Sequence, residues 1–403
     1  MNTTVLLIFG SVYLGMILGE IPGLRLDRAG IALLGAIALV ATGHTTPLNA
    51  WVAVDVNTIA LLFGLMIVSA QFRLFGFYTW VGARLAAVET TPARLLAGVI
   101  LASGFLSALL ANDIVCLAMT PILVELCAKR SLDPVPFLLG LACAANVGSA
   151  ATLIGNPQNM LIGQALALPF ARYLLDGGVP AVLGLGVVWA VLAVRWRGRW
   201  AGTLALPAVP SAPFSLWHTV KAALVLVAVV AAFCLGPWPH GAVALTGAGI
   251  LLTSRRMDSR DVLGLVDWQL LVMFMGLFVV NSAMQQTGLA ALGLARLAGH
   301  GFNLQAPSTL FASTAVLSNL VSNVPAVMLL LPAAAHRQAG AILALSSTFA
   351  GNFLIVGSIA NIIVVDQAGR LGVKIGWRTH ARVGIPVTLA TLAIAAAWLA
   401  IRS

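Results

Sequence analysis

The chain has 403 residues, of which 60% are hydrophobic and 8% are charged, and its formal net charge is +10. A soluble globular protein carries about 25% charged residues because its surface faces water, so this composition excludes the soluble class. The basic residues lie in loops between apolar segments and form no single patch, which argues against nucleic acid as a partner. We therefore expect an all-α polytopic membrane protein whose main partner is the lipid bilayer.

Ten apolar segments are predicted to span the bilayer as helices, each of which takes about 20 mostly apolar residues. The segments lie at about 3–20, 29–43, 57–76, 136–166, 178–195, 218–236, 240–254, 268–286, 340–365 and 383–400.

Two further stretches, 92–128 and 308–335, are too long for one helix and carry polar residues near the middle. The first is interrupted at Ala111–Asp113 and the second at Ser322–Pro325. We predict that both are re-entrant hairpins, which enter and leave the membrane on the same side.

The distribution of positive charge supports this layout, because positively charged loops stay in the cytoplasm. Of the 22 Lys and Arg residues, the layout places 18 on one side and leaves 4 on the other. Those four are Arg172, Arg296, Arg337 and Arg402. Counting either hairpin as a full span would scramble this separation. We predict a bacterial or archaeal cytoplasmic (inner) membrane, with both termini on the non-cytoplasmic side.

An internal repeat divides the chain into halves. The matched pairs are Asp55 with Asp267, Asn112 with Asn323, Pro121 with Pro332, Asn146 with Asn352, Gly155 with Gly357 and Asn159 with Asn361. An odd number of crossings separates the copies, so the repeats are inverted, as in alternating-access transporters. We predict a first repeat at 1–199, a cytoplasmic linker at 200–216 and a second repeat at 217–403. Each repeat has five spanning helices and one re-entrant hairpin.

The substrate site is predicted where helices break inside the membrane. Besides the two hairpin tips, breaks occur at Gly155–Asn159 and Gly357–Asn361. In hydrocarbon such breaks persist only where protein or a water-filled cavity covers them. Half-helix N-termini offer N–H donors to an anionic or polar solute, and loop carbonyls could hold a cation. The predicted substrate- and ion-binding residues are Asn112, Asp113, Asn146, Gly155, Asn156, Asn159, Ser322, Asn323, Asn352, Gly357, Ser358 and Asn361.

Asp113 is the predicted coupling residue. A carboxylate at bilayer depth costs about 2.5–3.5 kcal/mol, and no Lys or Arg is expected at the same depth to neutralise it. It would therefore bind a proton or a cation during transport. The alternative is an aspartate that caps the return arm of the hairpin.

Cys116 and Cys143 each lie one helical turn from a predicted site residue. One hypothesis is therefore that their thiols contact a soft solute such as trivalent arsenic. The alternative is that both are ordinary small apolar helix residues. The spacing of the four cysteines fits neither a metal site nor a disulfide framework, and we expect no metal and no cofactor.

The run Leu110–Ile122, with Ala-Asn-Asp followed by Leu-Ala-Met-Thr-Pro-Ile, resembles the first hairpin of the arsenite-efflux permease family. That family belongs to an ion-transporter superfamily with the citrate–metal symporters, a sodium/proton antiporter family and the sodium–dicarboxylate symporters. The resemblance extends from Asp55 to about Gly376. It implies an elevator-type division into a scaffold part and a moving transport part, often within a homodimer. The tips lack the Ser-Asn-Thr sequence of the dicarboxylate branch, which weakens a sodium–dicarboxylate function.

The sequence and the resemblance together predict a secondary active transporter that exports arsenite or antimonite, small inorganic solutes, in exchange for protons. The alternative within the superfamily is a sodium/proton antiporter or an anion permease. In the antiporter, sodium would be the coupling ion. A channel is the alternative from another class, but paired helix breaks favour an occluded site. No nucleotide-binding loop is present, so we expect no enzyme activity. A separate ATPase subunit is left open.

Overall fold

A computed structural model describes residues 2–19, 26–202, 213–254 and 258–402. Within these ranges the chain is helical, apart from one isolated β-bridge between Leu132 and Ala201. Six of the described helices are long and apolar enough to cross a membrane, by length and composition alone. The predicted fold class, an all-α polytopic membrane protein, is confirmed.

The described residues of the first half contain ten helices. They are α1 (Asn2–Leu18), α2 (Arg28–Ala41), α3 (Pro47–Ala53), α4 (Val56–Leu74), α5 (Phe77–Ala87), α6 (Pro92–Leu109), α7 (Asn112–Lys129), α8 (Val135–Ser149), α9 (Pro157–Ala165) and α10 (Phe170–Arg195).

Ten helices of the second half correspond to them one by one, in the same order. They are α11 (Leu216–Leu235), α12 (His240–Leu252), α13 (Ser259–Leu263), α14 (Trp268–Gln286), α15 (Leu289–Gly299), α16 (Pro307–Val321), α17 (Asn323–Leu330), α18 (Ala339–Ala350), α19 (Ile359–Arg370) and α20 (Trp377–Ile401). Short 3₁₀ turns follow α17 and precede α19.

Matched helices of the two halves pack against each other in a reciprocal pattern. Helix α4 packs against α12, and its counterpart α14 packs against α2. Both pairs of helices cross closely, because at each crossing a glycine of one helix packs directly against the backbone of the other. A Cβ on Gly64 would lie 2.6 Å from the carbonyl carbon of Ala244, and one on Gly276 would lie 2.6 Å from that of Ala32. The matched glycines therefore set the distance between repeats in this part of the fold.

Both predicted hairpins are present. In the first, α6 and α7 pack together, and Arg130 at the end of α7 donates to the carbonyls of Ala86 and Val88, both 2.6 Å away, shortly before α6 begins. The two ends of this hairpin therefore lie on one side. In the second, α16 and α17 pack together and meet at Ser322, whose φ of 75° makes the sharp turn.

Several boundaries differ from the predicted ones. The first break comes earlier than expected, because Pro157 starts α9, where its missing N–H costs no helix bond. The second break also comes earlier than the predicted Gly357–Asn361, because α18 ends at Ala350 and α19 begins at Ile359. The short helices α3, α5, α13 and α15 were not predicted, and α5 and α15 follow matched left-handed glycines, Gly76 and Gly288. Residues 203–212 of the predicted linker lie outside the described residues, as do Arg25, Arg255 and Arg256 of the charge count.

The glycine crossings predict a position-specific loss of stability. Gly276→Val should lower the free energy of unfolding by about 1–3 kcal/mol, because the added side chain overlaps the backbone of α2. Gly249→Val is the matched control, since nothing lies within 4 Å of the Cβ it would gain. Thermal unfolding of the purified protein in detergent compares the two variants. Equal midpoints would contradict the packing described here.

Candidate functional site

A small cavity lies where both hairpin tips and both helix breaks meet. Its volume is about 20 Å³, which is room for about one water molecule. The lining residues are Asn112, Asp113, Pro157, Gln158, Met273, Ser322, Asn323, Val324, Ser358 and Ile359. Apart from Met273 on α14, these residues come from the two tips and the two breaks. Five predicted site residues therefore meet here: Asn112, Asp113, Ser322, Asn323 and Ser358.

The first break is closed by two asparagines. Asn156 caps α9 by accepting a hydrogen bond from the backbone N–H of Asn159 at 2.8 Å. The amide of Asn159 reaches back to donate to the carbonyls of Thr152 at 2.9 Å and Ser149 at 3.4 Å. It also donates to the hydroxyl of Tyr173 at 3.2 Å. Carbonyls freed by the break are therefore paired within the protein.

The second break is closed in the same way. The amide of Asn361 donates to the carbonyls of Gly351 at 2.9 Å and Leu354 at 3.2 Å. These acceptors lie 10 and 7 residues before the asparagine, the same spacing as in the first break. We call Asn159 and Asn361, each with its two carbonyls, the asparagine latches.

The latches give the two breaks a common offset of 202 residues, which changes one predicted pairing. At this offset Asn146 corresponds to Thr348, not to Asn352. Asn146 and Asn352 instead bond to each other, with the amide of Asn146 donating to the other side-chain oxygen at 2.8 Å. The two asparagines are therefore not equivalent positions of the repeats; they form a direct contact between them.

Contacts across the repeats follow the same symmetry. The hydroxyl of Ser358 donates to the side-chain oxygen of Asn146 at 2.8 Å. At the matched place, the amide of Asn156 donates to the hydroxyl of Thr348 at 3.3 Å. Ser358, which immediately precedes α19, thus bonds to α8 of the first half, and Asn156, which caps α9, bonds to α18 of the second half. Both breaks therefore belong to one buried polar core.

The hairpin tips are fastened to the breaks. The backbone N–H of Asn112 donates to the carbonyl of Gly155 at 3.3 Å. Asn323, with its amide in the orientation that satisfies both ends, donates to the carbonyls of Gly357 at 3.2 Å and Ser347 at 3.1 Å and accepts from Gln158 at 3.2 Å. Glycine is needed at Gly155, since a Cβ there would lie 2.3 Å from the carbonyl oxygen of Ser149.

Two polar groups at the first tip stand apart from this network. Asn112 is 5% exposed, and its side-chain oxygen has no hydrogen-bond partner. Asp113 is half-buried in the first turn of α7, and within the described chain no hydrogen bond or ion pair reaches its carboxylate. Because both residues line the cavity, their oxygen atoms are free to accept hydrogen bonds from a solute or a proton carrier.

A second cavity of about 20 Å³ adjoins the first and shares Asp113 and Pro157 with it. Its remaining lining residues are Leu62, Leu65, Met66, Ala111, Ile114, Met160, Asp267 and Leu270. Among the described residues, no Lys, Arg or His lines either cavity. The local side-chain charge is therefore zero or negative, depending on protonation.

Cys116 and Cys143 are fully buried, and neither lines a cavity described above. A thiol contact to solute would thus need a different arrangement of the helices.

Four polar side chains named above, Gln158, Tyr173, Asp267 and Thr348, were not among the predicted site residues. Adding the offset of 202 residues between the matched asparagines to Asn146 would have identified Thr348. The sequence marked Asp267 only as a member of a repeated pair. Gln158 and Tyr173 give no signal in one sequence, because their roles depend on contacts between distant helices.

Comparison with known proteins places the chain among membrane transporters. Residues 4–342 match the sequence profile of the citrate transporter family. An uncharacterized transporter of Mycobacterium tuberculosis is 30% identical over 409 residues, which covers 94% of each chain. The silicon efflux transporter LSI3 of Oryza sativa subsp. japonica is 30% identical over 473 residues, covering 96% of this chain and 95% of the relative.

A similar fold is found in a solved structure, the YdaH transporter of Alcanivorax borkumensis, which is described as having an unusual topology. The TM-score is 0.62, and the likeness covers 99% of this chain and 97% of the other at 16% sequence identity. At this identity the likeness concerns the fold alone.

The asparagine latches predict a stability effect at the second break. Asn361→Ala should lower the free energy of unfolding by about 1–3 kcal/mol, because the buried carbonyl of Gly351 loses its donor and the partly buried carbonyl of Leu354 loses a weaker contact. Gln285→Ala on the exposed face of α14 is the control. Thermal unfolding in detergent is the measurement, and a variant as stable as the control would argue against the latch.

Proposed function

Because this chain belongs to the citrate transporter family of the ion-transporter superfamily, we propose that it is a secondary active transporter for small uncharged metalloid hydroxides. In this proposal it exports arsenite or antimonite from the cytoplasm in exchange for protons. The observation that carries the proposal is the chemistry of the two cavities, which offer amides, hydroxyls and carboxylates but no basic side chain among the described residues.

The charge of the site favours an uncharged solute. A multivalent anion such as free citrate would need cationic partners, since burying an unpaired charge is costly. The cavity at the tips instead carries the carboxylate of Asp113. Arsenous acid is uncharged at neutral pH, and its hydroxyl groups can both donate and accept hydrogen bonds. The unpartnered oxygen of Asn112 and the side chains of Ser322 and Ser358 suit such a solute.

The relative from rice extends the same chemistry. Silicic acid, like arsenous acid, is a small hydroxide without charge at neutral pH. A silicon efflux transporter that is 30% identical over nearly the whole chain therefore supports this class of solute. It also makes silicic acid a substrate to test beside arsenite and antimonite.

The asparagine latches favour protons over sodium as the coupling ion. Loop carbonyls at helix breaks are natural ligands for a hard cation. Here two carbonyls at each break already accept hydrogen bonds, from Asn159 at the first break and from Asn361 at the second. Asp113 is the group at the tips that can bind and release a proton. A sodium/proton antiporter and an anion permease are the competing functions.

Transport would proceed by movement of the polar core as one body. The two breaks bond to each other through Asn146 and Asn352, and hydrogen bonds fasten both hairpin tips to the breaks. We propose that these elements form the moving part of an elevator, and that α4, α12, α2 and α14 belong to the scaffold. The cavity is too small for a trihydroxide, so solute enters when the moving part shifts.

Reconstitution into proteoliposomes tests the function. An imposed pH gradient should drive arsenite, antimonite or silicic acid across the membrane, and each transported solute should in turn move protons detected by an internal pH-sensitive dye. Sodium gradients and citrate are the comparison arms. If only sodium or an organic anion is transported, the proposed solute class is wrong.

Asp113→Asn should abolish proton coupling, because an amide cannot bind and release a proton at this position. The variant should lose transport driven by a pH gradient and keep exchange of solute for solute. Asp366→Asn, in an exposed ion pair with Arg370, is the control and should transport like the native protein. Normal pH-driven transport by Asp113→Asn would refute this role.

A further inference from the structure

We propose that Asp267 is the proton-relay residue which connects Asp113 to the aqueous phase, and this inference rests on the proposed proton coupling. The proton passes from one carboxyl group to the other through a single water molecule in the second cavity. As the Asp113 carboxyl gives up its proton to the water, the water gives a proton to the Asp267 carboxylate. Asp267 then releases it to bulk water.

The geometry places the two carboxylates on the walls of one cavity. Asp113 is half-buried at the first hairpin tip, whereas Asp267 is exposed at the start of α14 in the other repeat. The volume of about 20 Å³ exceeds the roughly 10–15 Å³ that one water needs. An inner carboxylate, a water-sized space and an outer carboxylate are the parts of a short proton path.

Symmetry separates this role from helix capping. Asp267 caps α14 by accepting from the backbone N–H of Leu270 at 2.9 Å, and its counterpart Asp55 caps α4 by accepting from that of Thr58 at 3.0 Å. Capping therefore explains an aspartate at both positions. The residue that corresponds to Asp113 in the second hairpin is Val324. A carboxylate at a hairpin tip, to which a cap aspartate could pass a proton, thus exists in one half only.

A second observation indicates that the site takes a hydrogen-bond donor. The side-chain oxygen of Asn112 is buried without a partner and lines the first cavity, which shares Asp113 with the second. An amide oxygen only accepts hydrogen bonds. It can therefore hold a hydroxyl group of the solute or a protonated carboxyl, next to the group that the relay serves.

The charged and titratable groups on the neighbouring helices that the structure describes do not pair with Asp113 or Asp267. None of them forms an ion pair with Asp113 or Asp267 within the described ranges. On α7 and the elements packed against it the charged or titratable groups are Arg73, Tyr78, Arg84, Arg94, Cys116, Glu125, Cys127, Lys129, Cys143, Asp366 and Arg370. On the elements packed against α14 they are Tyr13, Arg28, Asp55, Arg73 and Arg296, and on the preceding α13 and its cap they are Asp258, Arg260 and Asp261.

The first experiment needs no solute. The pH dependence of thermal unfolding is measured for the native protein, Asp113→Asn, Asp267→Asn and the double variant. The step that Asp113→Asn removes should shift to lower pH in Asp267→Asn, because a negative charge beside Asp113 is lost. In the Asp113→Asn background, Asp267→Asn should change the profile no more than Asp55→Asn, the matched cap variant, does. Effects that add independently would overturn the pairing of the two carboxylates.

The second experiment measures the relay in proteoliposomes with the metalloid that the native protein transports. Asp267→Asn should slow pH-driven transport about tenfold or more and leave solute-for-solute exchange intact, and Asp267→Glu should restore much of the rate. Asp55→Asn is the matched control, since asparagine caps helices as well as aspartate does. Equal losses in both variants, or no loss in Asp267→Asn, would overturn the relay.

These outcomes distinguish the two proposals. If the native protein moves no metalloid but the unfolding profiles show coupled carboxylates, the solute assignment fails and the pairing of Asp113 with Asp267 stands. If metalloid transport is proton-coupled but Asp267→Asn behaves like Asp55→Asn, the proposed function stands and the relay is wrong.

Discussion

The structure depends on the pairing of backbone groups where helices break inside the membrane. In hydrocarbon, an unpaired N–H or C=O group costs several kcal/mol, so a spanning segment can be interrupted only if the protein supplies partners. Asn159 and Asn361 supply them by donating to carbonyls 7 and 10 residues earlier. Once the breaks are held open in this way, their half-helix starts can face the hairpin tips and form a polar centre.

The two halves share a frame but differ in chemistry. Main-chain features recur in both, such as the glycines at helix crossings, the capping aspartates and the latches. At two matched positions, however, the residues differ. Asp113 in the first half corresponds to Val324 in the second, and Asn146 corresponds to Thr348. Inverted repeats are typical of alternating-access transporters. At the hairpin tips, only the first half carries a carboxylate.

The fold and the solute are separate questions, because one fold can host many sites. The fold is shared with a transporter that is only 16% identical, and the family carries the name of a multivalent anion. The cavities of this chain carry side-chain amides, hydroxyls and carboxylates, without a basic group among the described residues. It is this chemistry, and not the fold, on which the proposed preference for an uncharged hydroxide rests.

Much of the architecture follows from the sequence, because hydrophobicity and charge along a membrane protein act locally. The pattern predicted the helical class, the hairpins, the inverted repeat and the asparagines of the breaks. It placed both breaks a few residues late, because Pro157 begins α9 and Ile359 begins α19. It also paired Asn146 with Asn352 as equivalents, although they are partners in a hydrogen bond.

What only the tertiary structure decided is which distant residues meet. The carboxylates of Asp113 and Asp267 are far apart in the chain, and no local pattern relates them. They line one cavity because α14 and α7 both pack against α4. The sequence by itself determined that polar groups must be covered inside the membrane. Packing between the halves determined which groups cover them and which are left free, because such contacts depend on the arrangement of all the helices together.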